Sequence, residues 1–379
     1  MGPLKGVKVI EMQGIGPVPF AAMMLADMGA EVIRVDKIRG AMGADPRRDL
    51  LNRGRRSIAI DVKHPDGAET VLRLAERADA LMEGFRPGVM ERLGVGPEDC
   101  LARNPRLVYG RMTGWGQDGP YASMAGHDID YISIGGALAN FRRAGERPVP
   151  PMNMIGDFGG GGMLLAFGVV CGVLEARASG VGQVVDTAMV DGTAALLAMP
   201  YSFLAMGIHD PATPGGNMLD TGAHFYDAYE TADGRFVGVG AIEPQFYAEL
   251  LKGLGLDGED LPFQLDRSHW PEMKERLAAI FKSKTRHEWE AVFEGTDACV
   301  APVLDLTEAP AHHHNVARKT FVTDEGGFVQ PAPAPRFSRT EASIGLLPPK
   351  PGEHTDDILD ELGLSAAEVA KLREAGAVA

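Results

Sequence analysis

His127 and Asp157 are the residues whose types and settings could do chemistry. His127 lies in Gly126-His127-Asp128-Ile129-Asp130-Tyr131, and Asp157 in Gly156-Asp157-Phe158-Gly159-Gly160-Gly161-Gly162. Imidazole and carboxylic acid groups are common proton-transfer groups, and glycine allows backbone to approach a ligand closely. A base and an acid on two such segments read as a site that moves a proton between the faces of one carbon. Each also has a plainer reading: a hydrogen-bonded loop histidine, and an aspartate capping the helix that follows it. At a helix start the carboxylate would see the positive end of the dipole, and the surrounding N–H groups could hold an oxyanion. Glu243, in Gly240-Ala241-Ile242-Glu243-Pro244-Gln245, is either a solvated acid at a strand end or an orienting partner for a histidine across a domain cleft.

These residues need a frame, and the first third of the chain supplies an alternating one. Apolar runs predict strands over 7–12, 31–36, 80–83 and 107–112, with helices over 19–28 and 66–78. That alternation predicts an α/β domain with a mostly parallel sheet covered by helices. A long buried helix over 158–176, a short strand at 184–186 and an apolar helical stretch over 187–207 follow. Pro211 to Gly222 reads as a linker. Beyond it, a hairpin over 225–242 turning at Ala232-Asp233-Gly234 and helices near 245–254, 270–281 and 286–293 predict a smaller α+β domain. An extended connector over 331–335 and a helix pair over 354–375 close the chain.

The 379 residues are 45% hydrophobic and 23% charged, the balance of an ordinary globular protein. The most apolar run, residues 163–174, is shorter than a membrane span and predicts a buried helix, so no membrane insertion is expected. The N-terminus lacks signal-peptide regions, the C-terminal Gly-Ala-Val-Ala is not a peroxisomal address, and three scattered cysteines fit a reducing compartment. The expected location is the cytoplasm. A net charge of -15 argues against nucleic-acid and anionic-membrane partners.

One stretch runs against that acidity. Arg34, Lys37, Arg39, Arg47, Arg48, Arg53, Arg55, Arg56 and Lys63 face only Asp36, Asp45, Asp49 and Asp61. The island fits a small polyanionic ligand such as a phosphorylated cofactor, or ion pairing with acidic surface elsewhere; Arg86 and Arg92 tip the reading toward a ligand. Gly14-Ile15-Gly16 imitates a dinucleotide fingerprint, but its third glycine is missing and Pro17 and Pro19 offer no N–H to a pyrophosphate. His312-His313-His314 does not read as a metal site, because adjacent residues on a helix or strand do not converge on one ion. Met152, Met154 and Met163 could form an adaptable apolar wall near the glycine segments.

Read in order, several runs resemble the class III CoA-transferase (CaiB/BaiF-like) superfamily, in particular its racemases of 2-methylacyl-CoA thioesters. They are Val9-Ile10-Glu11-Met12 with Gly14-Ile15-Gly16-Pro17, Arg86-Pro87-Gly88-Val89-Met90-Glu91-Arg92-Leu93-Gly94, Met112-Thr113-Gly114-Trp115-Gly116-Gln117, Gly126-His127-Asp128-Ile129, Gly156-Asp157-Phe158, Gly182-Gln183-Val184-Val185-Asp186, Ala241-Ile242-Glu243-Pro244-Gln245-Phe246-Tyr247 and Gly295-Thr296-Asp297-Ala298-Cys299-Val300. The resemblance spans nearly the whole chain.

It implies an interlocked homodimer, each subunit having a large Rossmann-like domain (1–188, completed by 331–379) and a small α+β domain (223–315). A linker over 189–222 and a return linker over 316–330 would join them. By resemblance, His127 and Asp157 are the acid/base pair and Glu243 of the other subunit is the partner of His127. Coenzyme A, bound as part of an acyl-CoA thioester, would meet Lys37, Ile60, Asp61, Val62, Lys63, Gly84, Phe85, Arg86, Arg92, Gly126, His127, Asp128, Ile129, Asp130 and Tyr131. No other cofactor and no metal are implied. The expected reaction inverts the α-carbon through an enolate, one residue removing a proton and the other delivering one to the opposite face. The superfamily's CoA-transferases are the rival, with Asp157 as nucleophile; a noncatalytic acyl-CoA carrier is a second. Asp220-Thr221-Gly222-Ala223-His224 departs from the usual Asp-Gly-Gly-Ala-Pro of these racemases.

Overall fold

The computed structural model describes residues 2–38, 45–324 and 326–379; Arg39 of the basic island lies outside them. The chain forms two compact units. The first holds residues 2–136, 151–196 and 321–379; the second holds 137–150 and 197–320. The sequence reading assigned 137–150 to the large domain and 316–330 to a return linker. In the structure Arg143 ties the former segment to Asp227 of the second unit at 2.7 and 2.8 Å. Residues 321–330 are instead part of the first unit.

In chain order the first unit runs β1 (Lys8–Met12), α1 (Pro17–Asp27), β2 (Glu31–Asp36), β3 (Arg55–Ala59), α2 (Pro65–Ala75), β4 (Ala80–Glu83), α3 (Val89–Arg92), α4 (Pro97–Arg103), β5 (Val108–Thr113) and α5 (Asp128–Ile134). A π-helical segment, Met154–Met163, then leads into α6 (Leu164–Ser179), β6 (Gln183–Ala188) and α7 (Met189–Leu196). The second unit contributes α8 (Ala198–Ala205), β7 (Tyr226–Glu230), β8 (Phe236–Gly240), α9 (Pro244–Leu254), α10 (Trp270–Phe281), α11 (Arg286–Phe293), β9 (Val300–Pro302) and α12 (His313–Arg318). The chain closes in the first unit with β10 (Phe321–Thr323), β11 (Val329–Pro331), α13 (Thr355–Glu361) and α14 (Ala366–Glu374).

Six parallel strands form the large sheet in the order β3-β2-β1-β4-β5-β6. Successive strand residues point to opposite faces, and the sequence uses this by placing apolar residues in adjacent pairs. Ile10, Ile33, Leu81 and Tyr109 pack against α2, α4 and α13; Val9, Val32, Met82 and Val108 pack against α1 and α6. Burying such a side chain fully is worth roughly 1.5–3 kcal/mol, so both faces are strongly covered. The strand order turns between β1 and β4. In open sheets of this kind the crevice beyond the carboxyl ends at that turn is where ligands bind.

Helix packing explains the glycine run. The π-helical segment continues into α6 as one helix, Met154–Ser179, which is long and apolar enough by length and composition to cross a membrane. This exceeds the 158–176 and the shorter apolar run expected from sequence. In this fold Leu165, Ala166, Val169, Val173 and Ala176 of α6 are buried against the sheet. A Cβ on Gly160 would meet the Thr193 nitrogen at 2.8 Å, and one on Gly192 the Gly160 oxygen at 1.9 Å. These glycines let the helix and α7 touch backbone to backbone.

The second unit has a three-stranded antiparallel sheet, β7-β8-β9. Its hairpin turns through Asp233 and Gly234, closed by Thr231 N–H to the Arg235 carbonyl at 2.8 Å. Phe225, Tyr229, Trp270, Leu277, Phe281 and Trp289 fill its core.

Candidate active site

Two adjoining clefts open at the carboxyl ends of β1, β2 and β4 in the first unit. One, about 1520 Å³, is lined by the loop after β1 (Gln13, Gly14, Ile15), by Gly84, Phe85 and Arg86 after β4, and by Gly126, His127, Tyr131 and Asp157. The other, about 1470 Å³, is lined by Asp36, Lys37, Ile60, Asp61, Val62, Lys63 and Phe85. Gln13, Lys37 and Phe85 line both. The switch point of the sheet therefore carries one continuous trough, with His127 and Asp157 in one half.

His127 is the residue before α5, where its backbone N–H donates to the Asp130 carboxylate at 2.9 Å. Tyr131, one turn on, donates its hydroxyl to the Gly126 carbonyl and packs edge-on against Trp115. Burial pushes the Tyr131 phenol up to about 12, so it stays a donor. The loop bearing His127 is thus pinned on both sides, while the histidine itself is exposed.

Asp157 is not the helix cap its sequence setting allows. It lies within the first turn of the π-helical segment, whose N-cap is Asn153, and π-helical turns recur at functional sites. The Asn153 side-chain amide donates to Asp157 Oδ2 at 3.0 Å. The Asp157 N–H donates to Oδ2 of the buried Asp128 at 2.7 Å. That N–H is therefore occupied, so it is not among the surrounding N–H groups left to hold an oxyanion. Burial holds the Asp157 carboxyl above its ordinary range, with Asn153 opposing, Asp128 adding to the rise and His127 opposing. Gly16 shows why the loop after β1 needs glycine: its φ is +74°, and a Cβ there would lie 3.2 Å from Asp157 Oδ2.

The basic island divides in two. Arg55 and Arg34 pair with the buried Glu11 at 2.7 and 3.9 Å, Arg34 also with Asp36 at 2.9 Å, and Arg53 with Asp27 at 2.5 Å. Arg47 pairs with Glu353, Arg48 with Asp45, and Arg56 with Glu31 and Glu361. Burial raises the Glu11 carboxyl, with Arg55 opposing. For these arginines the ion-pairing reading holds. Lys37, Lys63, Arg86 and Arg92 form no ion pair among the described residues, and the first three line the trough.

Not every expected residue lies there. Arg92 is exposed at the end of α3, Asp128 is buried beneath Asp157, and Ile129 and Asp130 face solvent on α5; none lines either cleft. Glu243 belongs to the second unit, exposed as the residue before α9. The methionines of the trough are Met12, Met112, Met124 and Met189, in place of the exposed Met152, Met154 and Met163. Trp115 and Tyr131 form an aromatic wall, and only the run Gly114-Trp115-Gly116 hinted at it. In the second unit, Glu290, His312 and His313 bring ligand atoms within 4.8 Å of one another, which adjacency in sequence does not predict.

The first unit is thus a doubly wound domain with a trough at the switch point of its sheet, lined by Lys37, Lys63, Arg86, His127 and Asp157. A model of CoA-transferase family III matches residues 4–355, and the chain belongs to that family. It is 48% identical over 370 residues to alpha-methylacyl-CoA racemase of Mus musculus, covering 97% of this chain and 96% of that one. Identity to the Homo sapiens alpha-methylacyl-CoA racemase is 46% with the same coverage. Among solved structures, a CaiB/BaiF family protein from Brucella suis matches with a TM-score of 0.80 and 25% identity, over 95% of this chain and 99% of that one.

Proposed function

We propose that this protein is a racemase of 2-methylacyl-CoA thioesters, working by two-base proton transfer through an enolate. The observation that carries the reading is the placement of His127 and Asp157 on one cleft, with the Asp157 carboxyl raised by burial. A carboxyl so raised can hold a proton for delivery, while His127 removes one from the other face; for the opposite enantiomer the roles exchange. The cleft-lining positions of Lys37, Lys63 and Arg86 support their contact with the coenzyme phosphates in this reading, which invokes no metal or redox group.

The reading includes a homodimer in which Glu243 of a second copy orients His127. Its support is the exposure of both residues and of a broad apolar face on α6, where Phe167 is 66% and Leu174 71% exposed. The racemase names of the Mus musculus and Homo sapiens relatives favour racemisation over CoA transfer. The test is α-proton exchange in deuterated water with both enantiomers of a 2-methylacyl-CoA ester. Exchange and epimerisation from either enantiomer are expected. Acceptor-dependent transfer of coenzyme A, with hydroxylamine trapping at Asp157, would establish the transferase instead.

A further inference from the structure

We infer that Glu290, His312 and His313 form a binding site for one borderline transition-metal ion of the zinc class on the second unit. The inference does not depend on the racemase reading. Two adjacent histidines usually diverge, but here the backbone changes direction between them. His312 is extended, with φ −62° and ψ 131°, and His313 begins α12. Their rings therefore lie side by side, centroids 4.4 Å apart and tilted by 31°. Both turn toward α11: His312 Nε2 is 3.0 Å from Glu290 Oε1, and His313 Nε2 is 3.7 Å from Glu294.

The result is one carboxylate oxygen and two imidazole nitrogens within 4.8 Å of one another. Tetrahedral zinc with bonds of about 2.0–2.1 Å needs ligand atoms about 3.3 Å apart. Closing that gap requires side-chain torsion, which the exposed His313 is free to make. A fourth ligand is at hand, since His287, one turn before Glu290 on α11, places Nδ1 3.6 Å from Glu290 Oε2. Two nitrogens with one oxygen select zinc, cobalt(II) or nickel(II) over magnesium or calcium, which take oxygen ligands. The ion would clip α12 to α11, just before the chain leaves the second unit at Thr320.

The experiment uses the full chain, stripped with a chelator and titrated with zinc against a chromophoric competitor, with cobalt(II) absorption as a second readout. One ion per chain is expected, with a visible cobalt band of low-coordinate intensity. His313→Asn and Glu290→Gln should each weaken zinc binding by roughly tenfold or more, and His64→Asn should leave it unchanged. His313 is exposed and holds no core contact, so its substitution leaves folding intact. Absence of one-to-one binding at micromolar zinc, or unchanged affinity in both ligand variants, overturns the inference.

Discussion

Glu83 offers a quantitative test of how the trough is built. It ends β4, is fully buried, accepts the Phe85 N–H at 2.7 Å and pairs with Arg111 at 3.1 Å. It thereby holds the Gly84-Phe85-Arg86 edge of the cleft. Burial outweighs both partners and lifts its carboxyl from an ordinary 4.5 to about 7. At ~1.4 kcal/mol for each tenfold change in proton affinity, that displacement corresponds to about 3 kcal/mol. Below pH 4.5 the carboxyl is protonated in both folded and unfolded chains and costs nothing. Between 4.5 and 7 the unfolded chain ionises while the native one does not, so native stability falls; above 7 the full penalty applies.

Glu83→Gln mimics the protonated form, keeping an acceptor for Phe85. Arg111 retains Glu91 at 2.8 Å. The variant should therefore be more stable than wild type at pH 8, by at most about 3 kcal/mol, and the difference should vanish near pH 4.5. Urea unfolding at half-unit pH steps measures this directly. If the two stability curves run parallel from pH 4.5 to 8, or if the glutamine variant is the less stable at pH 8, the argument that burial dominates at Glu83 is wrong.

Other expectations follow from single features. Asp157→Asn should cut epimerisation by about 10²–10⁴, and it should remove the loss of stability that ionising a raised carboxyl brings as pH increases; circular-dichroism melts across pH would show this. Gly16→Ala places a β-carbon in a left-handed residue against the Asp157 carboxylate, so about 1–2 kcal/mol of stability and roughly tenfold or more in kcat should be lost, read by denaturant unfolding and initial rates. Thr221 is a β-branched residue at φ +78° with a buried hydroxyl lacking a partner among the described residues. Thr221→Gly should stabilise by about 1 kcal/mol, raising the urea midpoint.

Much of the large sheet is legible because β1, β2, β4 and β5 are buried on both faces and read as nearly continuous apolar runs. β3 was the exception. Its Arg55-Arg56-Ser57 start looks like a ligand patch, and only the structure shows Glu11 and Glu31 beside those arginines. Lys37 and Lys63 belong to the same run yet stay unpaired among the described residues, a distinction that one-dimensional charge counting cannot make. Asp157 looked like a cap because Asp before a glycine run resembles one; the π-helical turn depends on tertiary contacts with α1 and α7. Neighbouring histidines diverge on an ideal helix or strand, whereas the backbone changes direction between His312 and His313.

The central claim is that His127 and Asp157 address opposite faces of one carbon. Deuterium exchange measured for each pure enantiomer with His127→Gln and Asp157→Asn tests it most directly. Each variant should still exchange the α-hydrogen of one enantiomer and fail with the other, and the two variants should fail with opposite enantiomers. Failure of both variants with the same enantiomer, or wild-type exchange of both enantiomers in either variant, would contradict the account.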